Sequence, residues 1–197
     1  MIVITTKGTD ETWHSGFAAL IRAGFKLEAQ MGCTVKELLC EQLALPEDYY
    51  EERIQTLFLN HKPVDDPRTA LIKDGDTLAL SAAMPGLVGA TFRKGGHYSW
   101  MRGSISHSGN SDAADKARGW ITVKLFNLIL KELAPYFLKT GVWLEGATVQ
   151  TFFRSLSDTQ VSNIRSVSWN NREVELKAIT KLALPDEWTF TKVMTAG

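Results

Sequence analysis

The stretch GCTVKELLCEQL, residues 32–43, decides the fold because it is repeated in changed form as GATVQTFFRSLS, residues 146–157. In the first copy Thr34 and Glu37 form a capping box, in which the hydroxyl and the carboxylate each bind a backbone amide at the start of a helix. The apolar residues that follow recur at helical spacing, and they are Val35, Leu38, Leu39 and Leu43. This stretch therefore predicts an amphipathic helix.

The second copy predicts the same helix with a weaker start. Thr148 takes the capping position, but Thr151 stands where the capping glutamate would be. The apolar face recurs at the same helical spacing and consists of Val149, Phe152, Phe153 and Leu156.

Two more pairs of stretches repeat in the same order and at nearly the same separation. IQTLFLNHKPV (54–64) matches IRSVSWNNREV (164–174), and each has Asn at a turn between two short segments. Asn tolerates the positive φ that two-residue hairpin turns require, so both stretches predict strand, tight turn and strand. DGDTLALSAAMPG (74–86) matches PDEWTFTKVMTAG (185–197), and each contains one alternating strand. The chain is therefore interpreted as two copies of one fold.

A pair of strands is also predicted ahead of each helix. In the first copy these are MIVITTKG (1–8) and FAALIRAGFKLEA (17–29). In the second they are WITVKLFNLIL (120–130) and TGVWLEG (140–146), separated by a stretch that Pro135 breaks. Each copy thus has the order β-β-α-β-β, and a sheet with one helix packed across it buries one face of both elements.

This pattern resembles the β-grasp, or ubiquitin-like, fold, and within it the MoaD/ThiS branch of sulfur carriers. The resemblance is carried by ITVKLFNLILKEL (121–133), GATVQTFF (146–153), LNHKPVDDPRTALIKDGDTLAL (59–80) and a tail of small residues after the last strand. The expected fold is α+β, with two ββαββ units joined by an ordered, glycine-rich basic connector. We expect the first β-grasp domain at 1–86, the connector at 87–119 and the second domain at 120–197.

The resemblance also implies an activity. In that family an E1-like activating enzyme adenylates the carboxylate of a C-terminal glycine, which is then loaded with sulfur as a thiocarboxylate. The corresponding carrier tail here is Ala196 and Gly197, with Ala196 in place of the first glycine of the family's Gly-Gly pair. The matching position in the first copy is Pro85-Gly86, where the chain continues. Only the second copy therefore matches a carrier.

The connector differs in composition from a flexible linker. Residues 77–111 contain no Asp or Glu, but they include several glycines, basic residues and aromatic residues. Flexible linkers are poor in aromatic side chains, so this segment is predicted to be ordered. We expect ATFR (90–93) and HYSWM (97–101) to pair as a β-hairpin turned by residues 94–96, because glycine supplies positive φ without steric cost.

Two other interpretations of the connector are open. In the first, glycine amides and basic side chains bind a small anion or a protein partner through charge-assisted hydrogen bonds, which is compatible with the hairpin. This candidate binding site consists of Gly86, Gly89, Arg93, Lys94, Gly95, Gly96, His97, Arg102 and His107. In the second, the chain is processed after Gly96, because FRKGG (92–96) has the composition of a carrier tail.

The overall composition favours a cytoplasmic protein without a membrane or nucleic-acid partner. Of the 197 residues, 22 are Lys or Arg and 22 are Asp or Glu, so the net charge gives no argument for nucleic acid. No apolar run approaches the roughly 20 residues that span a bilayer, and the first residues lack the basic region of a secretion signal. Cys33 and Cys40 lie too close together to form a disulfide framework and are expected to be reduced.

The first functional hypothesis is a non-catalytic binding or scaffold protein that uses the basic connector as its interaction surface. The alternative is a MoaD/ThiS-like sulfur carrier activated at Gly197. An enzyme with an anion-binding loop around Arg93, Lys94, Arg102 and His97 is the third possibility. The expected partner is a protein, such as an E1-like activating enzyme or a metal-cofactor enzyme, and no catalytic residue, metal ligand or cofactor is predicted.

Overall fold

The computed structural model describes residues 1–7, 14–83, 86–94, 117–179 and 187–195. The described residues form ten strands, which are β1 (Ile2–Thr6), β2 (Phe25–Gln30), β3 (Thr56–Leu59), β4 (Lys62–Pro63), β5 (Thr77–Ser81), β6 (Arg118–Phe126), β7 (Val142–Glu145), β8 (Ile164–Trp169), β9 (Arg172–Val174) and β10 (Trp188–Thr195). Their helices are α1 (His14–Phe17), α2 (Val35–Glu37), α3 (Glu47–Arg53), α4 (Gly86–Phe92), α5 (Asn127–Thr140), α6 (Gly146–Arg154), α7 (Asp158–Asn163) and α8 (Leu176–Ile179). The fold is thus of the expected mixed α+β class.

The chain divides into two compact units. One unit consists of Met1–Phe25 and Leu130–Gly197, and is called the terminal unit below. The other consists of Lys26–Ile129, and is called the middle unit. The predicted domains, 1–86 and 120–197, divide the chain at other residues. None of the helices described is both long and apolar enough to cross a membrane.

The terminal unit has a mixed sheet with β1 at its centre. The strands follow the order β7-β10-β1-β8-β9. β1 pairs in parallel with β10, so that Ile2 lies opposite Thr191 and Ile4 opposite Val193. On its other side β1 is antiparallel to β8, which in turn pairs with β9. Both sides of the first strand of the chain are therefore hydrogen-bonded to strands from the last third of the chain.

The core of the terminal unit is built on alternating positions of β1. Ile2 and Ile4 are fully buried, because successive side chains of a strand point to opposite faces of the sheet. The short helix α1 and the 3₁₀ turn Ala18–Ile21 add further buried side chains. In this core the ring of Phe17 lies 5.4 Å from that of Phe152 on α6.

In the middle unit the strands follow the order β4-β3-β5-β6-β2. β5 and β6 are parallel over five residues each, from the pair Thr77 and Thr122 to the pair Ser81 and Phe126. β3 is antiparallel to β5, and β4 is antiparallel to β3. A parallel pair cannot be joined by a tight turn, so the chain between β5 and β6 must form a long crossover.

The capping box predicted in the first copy is confirmed. The Thr34 hydroxyl accepts a hydrogen bond from the backbone N–H of Glu37 at 3.2 Å, and the Glu37 carboxylate accepts one from the backbone N–H of Thr34 at 2.7 Å. Helix α2 then continues into a π turn, Leu38–Gln42. The predicted apolar face packs in the core, where Val35, Leu38 and Leu39 are fully buried.

Both predicted tight turns are also confirmed. Asn60 and His61 have φ of +49° and +67° between β3 and β4, and Asn170 and Asn171 have φ of +49° and +63° between β8 and β9. Two successive residues in the left-handed region are the signature of the hairpin turn that the Asn residues predict. Asn60 strengthens its turn by donating to Asp76 Oδ1 at 2.7 Å.

Two predictions for the second copy are wrong in detail. Its helix begins at Gly146 rather than at Thr148, because residues 146 and 147 already have helical geometry and Glu145 occupies the cap position. Pro135 does not break the chain but lies inside α5. The missing amide of a proline removes only one helical hydrogen bond. We attribute the continuity of this helix to burial of Leu133, Ala134, Phe137 and Leu138.

The strand pairs predicted ahead of the two helices do not form, and the first strand of each copy pairs with strands of the other copy instead. Residues 17–21 form a helical turn instead of a strand, and residues 127–130 begin α5 instead of continuing β6. β1 pairs with β8 and β10, which belong to the second copy of the repeat. β6, the first strand of the second copy, pairs with β5 of the first copy. The alternating pattern of a strand determines which face it buries but not which strand it pairs with, and this is the physical reason for the correction.

Truncation of Ile4 tests the central position of β1. Ile4→Ala is expected to lower the free energy of unfolding by about 2–5 kcal/mol, because it leaves a cavity in the core. Val3→Ala, on the half-buried outer face of the same strand, is the matched control and should cost clearly less. Urea unfolding followed by circular dichroism measures both. Equal costs for the two variants would contradict the central placement.

Candidate functional site

The structure describes the first part of the predicted binding site. Gly86, Gly89, Arg93 and Lys94 are among the described residues. The other members of that site lie outside the described residues, and they are Gly95, Gly96, His97, Arg102 and His107. The carrier-tail residues Ala196 and Gly197 also lie outside them. The geometry below therefore concerns the beginning of the connector.

The strand predicted at 90–93 is a helix, α4, and this part of the hairpin prediction is wrong. Gly86 starts the helix with φ of +79°, and Gly89 and Phe92 recur one turn apart. The Phe92 ring packs against Phe58 on β3 at 5.5 Å between centroids, which stabilises the helix on the middle unit. Four residues of alternating character are too few to distinguish a strand from a helical turn. The second predicted strand, 97–101, lies outside the described residues.

Lys94 attaches the end of α4 to the middle unit. Its backbone N–H donates to the Gln55 carbonyl at 2.7 Å. Its ammonium Nζ donates to the Tyr50 carbonyl at 3.3 Å and to Glu51 Oε2 at 3.4 Å. The same Nζ lies 4.0 Å from the centre of the Tyr50 ring, in a cation–π contact. These four residues are called the Lys94 anchor below.

The charges of the Lys94 anchor indicate a structural contact rather than an open anion site. Burial lowers the pKa of Lys94, and the nearby carboxylate of Glu51 opposes this shift. Burial likewise raises the pKa of the Tyr50 hydroxyl, so the phenol stays neutral. The Lys94 side chain is only 13% exposed. Its donors point at protein acceptors, whereas the adjacent side chain of Arg93 is exposed.

Sequence reasoning missed the partner of this lysine. The segment EDYYEER (47–53) forms α3, whose Tyr50 and Glu51 hold Lys94. A signal was available, because this segment concentrates acidic residues while residues 77–111 contain none. Complementary charge in two separate stretches favours contact between them, although it does not identify which residues meet.

A cleft of about 550 Å³ opens in the middle unit beside the start of α3. It is lined by Thr34, Lys36, Glu37, Cys40, Glu41, Leu45, Glu47 and Arg68. Lys36 and Glu47 form an ion pair there. The hydrogen bond between them raises the pKa of Lys36 and lowers that of Glu47, so both groups stay charged. The cleft thus contains basic and acidic groups side by side and does not select for one sign of ligand charge.

The two cysteines are protonated thiols at neutral pH. Burial raises the pKa of Cys40, and burial followed by the charge of Glu37 raises that of Cys33. Cys33 also donates to the Gln30 carbonyl at 3.2 Å and accepts from Gln42 Nε2 at 3.0 Å. A thiol with a raised pKa is a weak nucleophile. In the described part of the chain, no group of three or more His, Cys, Asp or Glu side chains is placed to hold a metal ion.

Reversal of the Lys94 charge tests the anchor. Lys94→Glu is expected to lower the free energy of unfolding by about 2–3 kcal/mol, because a carboxylate would face Glu51 and the Tyr50 carbonyl. Lys94→Met, which keeps the aliphatic stem, should cost less. Arg93→Glu is the control on the adjacent exposed side chain and should change the free energy by less than about 1 kcal/mol. Urea unfolding gives all three values, and a Lys94→Glu protein as stable as the control would exclude the anchor.

The raised thiol pKa values predict slow alkylation. At pH 7.5 each cysteine should react with iodoacetamide more slowly than free cysteine, because less thiolate is present. The rate should rise only at a higher pH than for free cysteine, whose thiol titrates near 8.5. The single variants Cys33→Ser and Cys40→Ser separate the two sites, and mass spectrometry measures the adducts. The same reaction in denaturant is the control, and a native rate equal to it at pH 7.5 would contradict the prediction.

The comparisons with known proteins add no relative. No protein-family model, no curated protein and no solved structure matches the chain. The case for its function therefore depends on the geometry of the described residues and on the sequence.

Proposed function

We propose that the protein is a non-catalytic binding protein whose basic connector contacts an acidic surface of a protein partner. The observation that carries the proposal is the Lys94 anchor. Three hydrogen bonds and a cation–π contact hold the start of the connector on the middle unit. The anchor holds the backbone next to Arg93 in a defined position, which lowers the entropy lost on binding.

The basic residues of the proposed surface lie on both sides of Lys94 in the sequence. Arg93 has an exposed side chain beside the anchor. His97, Arg102 and His107 follow within the stretch that contains no acidic residue. Such a run is electrostatically complementary to carboxylates, which accept bidentate hydrogen bonds from arginine. A partner protein with an acidic patch fits this chemistry, and a small carboxylate or phosphate anion would use the same groups.

Binding is also the better explanation for the reactive side chains in the middle unit. The ammonium of Lys94 is engaged by Tyr50 and Glu51. The thiols of Cys33 and Cys40 have raised pKa values. Groups in these states hold structure rather than attack a substrate. The sulfur-carrier hypothesis stays a prediction, because Ala196 and Gly197 lie outside the described residues. The cytoplasmic location also stays a prediction.

For the fold, we propose that each unit is a β-grasp unit completed by an exchanged strand. What supports this is a central parallel pair in each sheet, β1 with β10 and β5 with β6. An antiparallel strand lies beside each pair and turns into a short edge strand. Beside β1 this is β8, which turns into β9, and beside β5 it is β3, which turns into β4. A helix supplies buried residues to each unit. In the middle unit it is α2, which follows β2, and in the terminal unit it is α6, which follows β7. A solved structure of either unit tests this assignment.

Binding of a labelled acidic peptide tests the functional proposal. A Glu-rich peptide with a fluorescent label should bind the full chain, and a Gln-rich peptide of equal length should not. Arg93→Ala combined with Arg102→Ala should weaken binding roughly two- to thirtyfold, given about 0.2–1 kcal/mol for each ion pair with the peptide. Fluorescence anisotropy at low and physiological salt gives the dissociation constants.

The matched control removes the same charge from another surface. Arg165→Ala combined with Arg172→Ala changes two exposed arginines of the terminal unit. An equal loss of binding in both double variants would show that net charge alone attracts the peptide. A peptide that fails to bind the unchanged protein would refute an acidic partner.

A further inference from the structure

The two halves of the chain each lack a central strand that the other half supplies. The connector separates an N-terminal half, which ends before it, from a C-terminal half that begins with β6. β1 comes from the N-terminal half but belongs to the terminal unit, whose other strands come from the C-terminal half. β6 comes from the C-terminal half but belongs to the middle unit.

The position that β1 occupies is a strand-binding site formed by the C-terminal half. β1 forms register pairs along its whole length with β10 on one side and with β8 on the other. Its side chains at Ile2, Ile4 and Thr6 have no exposed surface. Phe17 and Phe25 continue this binding, since Phe17 packs on Phe152, and Phe25 packs on Phe137 at 4.8 Å. Without the N-terminal half, β8 and β10 would both present open edges and this core would lose its centre.

The position of β6 is the reciprocal site, formed by the N-terminal half. β6 lies between β5 and β2 in the sheet of the middle unit. Ile121 and Val123 have no exposed surface, and Leu125 is 2% exposed. Asn127, directly after β6, donates its side-chain amide to the Ser81 hydroxyl at 3.0 Å. The backbone of Trp120 donates to Asp74 Oδ1 at 2.7 Å, which fixes the other end of the strand.

We propose that each half of the chain is the binding partner of the other, so that a cut in the connector leaves one bipartite protein. The surfaces are the two strand sites described above, and the ligand of each site is an alternating apolar strand with its backbone groups available. Neither unit forms from one half alone. Processing after Gly96 would therefore not release a separate ubiquitin-like module.

A controlled cut in the full-length protein tests this inference. A protease recognition sequence is inserted between Ser108 and Gly109, and the folded chain is cleaved under native conditions. Both pieces are expected to elute together in a one-to-one ratio on size-exclusion chromatography. Two pieces that elute separately as compact folded proteins would overturn the proposal.

The dependence of unfolding on protein concentration distinguishes strand exchange from two independent domains that merely adhere. In the cut protein, dissociation and unfolding are one event. Dilution therefore favours the separated, unfolded pieces, and each tenfold dilution should lower the urea midpoint. The uncut protein with the same insertion is the control, and its midpoint should not change. Midpoints of the cut protein that are independent of concentration would also overturn the proposal.

An engineered disulfide locates the exchanged strand directly. Val3 and Ser168 are register partners on β1 and β8, and both are half-buried on the outer face. With Cys33 and Cys40 changed to Ser, Val3→Cys combined with Ser168→Cys should join the two pieces of the cut protein on a non-reducing gel. Val3→Cys with Leu27→Cys, which places the second cysteine on β2, is the control. A disulfide in the control pair and none in the test pair would refute the exchange.

Discussion

Parallel strands cannot be joined by a tight turn, and this constraint governs the whole path of the chain. The middle unit places β5 parallel to β6, so residues 82–117 must pass from one end of the pair to the other. The terminal unit places β1 parallel to β10, so nearly all of the chain forms that connection. In each parallel pair, one of the two strands comes from each copy of the repeat. Each accepts a central strand from the other copy.

The Lys94 anchor follows from the same constraint. A long crossover is entropically costly to order unless side chains along it bind the surface that it crosses. α4 begins this crossover, with Phe92 on Phe58 and the ammonium of Lys94 against Tyr50 and Glu51. The contacts are aromatic and electrostatic together. Structure and proposed binding thus use the same segment, since the residues that fix the connector also fix the position of Arg93.

The predictions from sequence succeeded where the cause is local. The capping box of Thr34 and Glu37 and the paired turns at Asn60 and Asn170 depend on residues within four positions of each other. The partner of β1 could not be predicted in this way, because Thr191 lies almost at the other end of the chain and the alternating pattern of β1 fits any buried strand. Likewise the role of Lys94 depends on α3. The acidic residues of α3 give a charge pattern, but this pattern does not predict which basic residue they contact. Within the predicted binding site, only Gly86, Gly89, Arg93 and Lys94 can be compared with the structure.

The central position of β1 has a consequence for synthesis of the chain on the ribosome. Ile2 and Ile4 are made long before their register partners Thr191 and Val193. At about 5–20 residues per second, the apolar first strand waits roughly 10–40 s for its site to exist. During that time it is an unpaired strand with exposed apolar side chains, the kind of segment that chaperones bind and that aggregates when they do not. A cell that makes this protein must therefore protect β1 until β10 has been made.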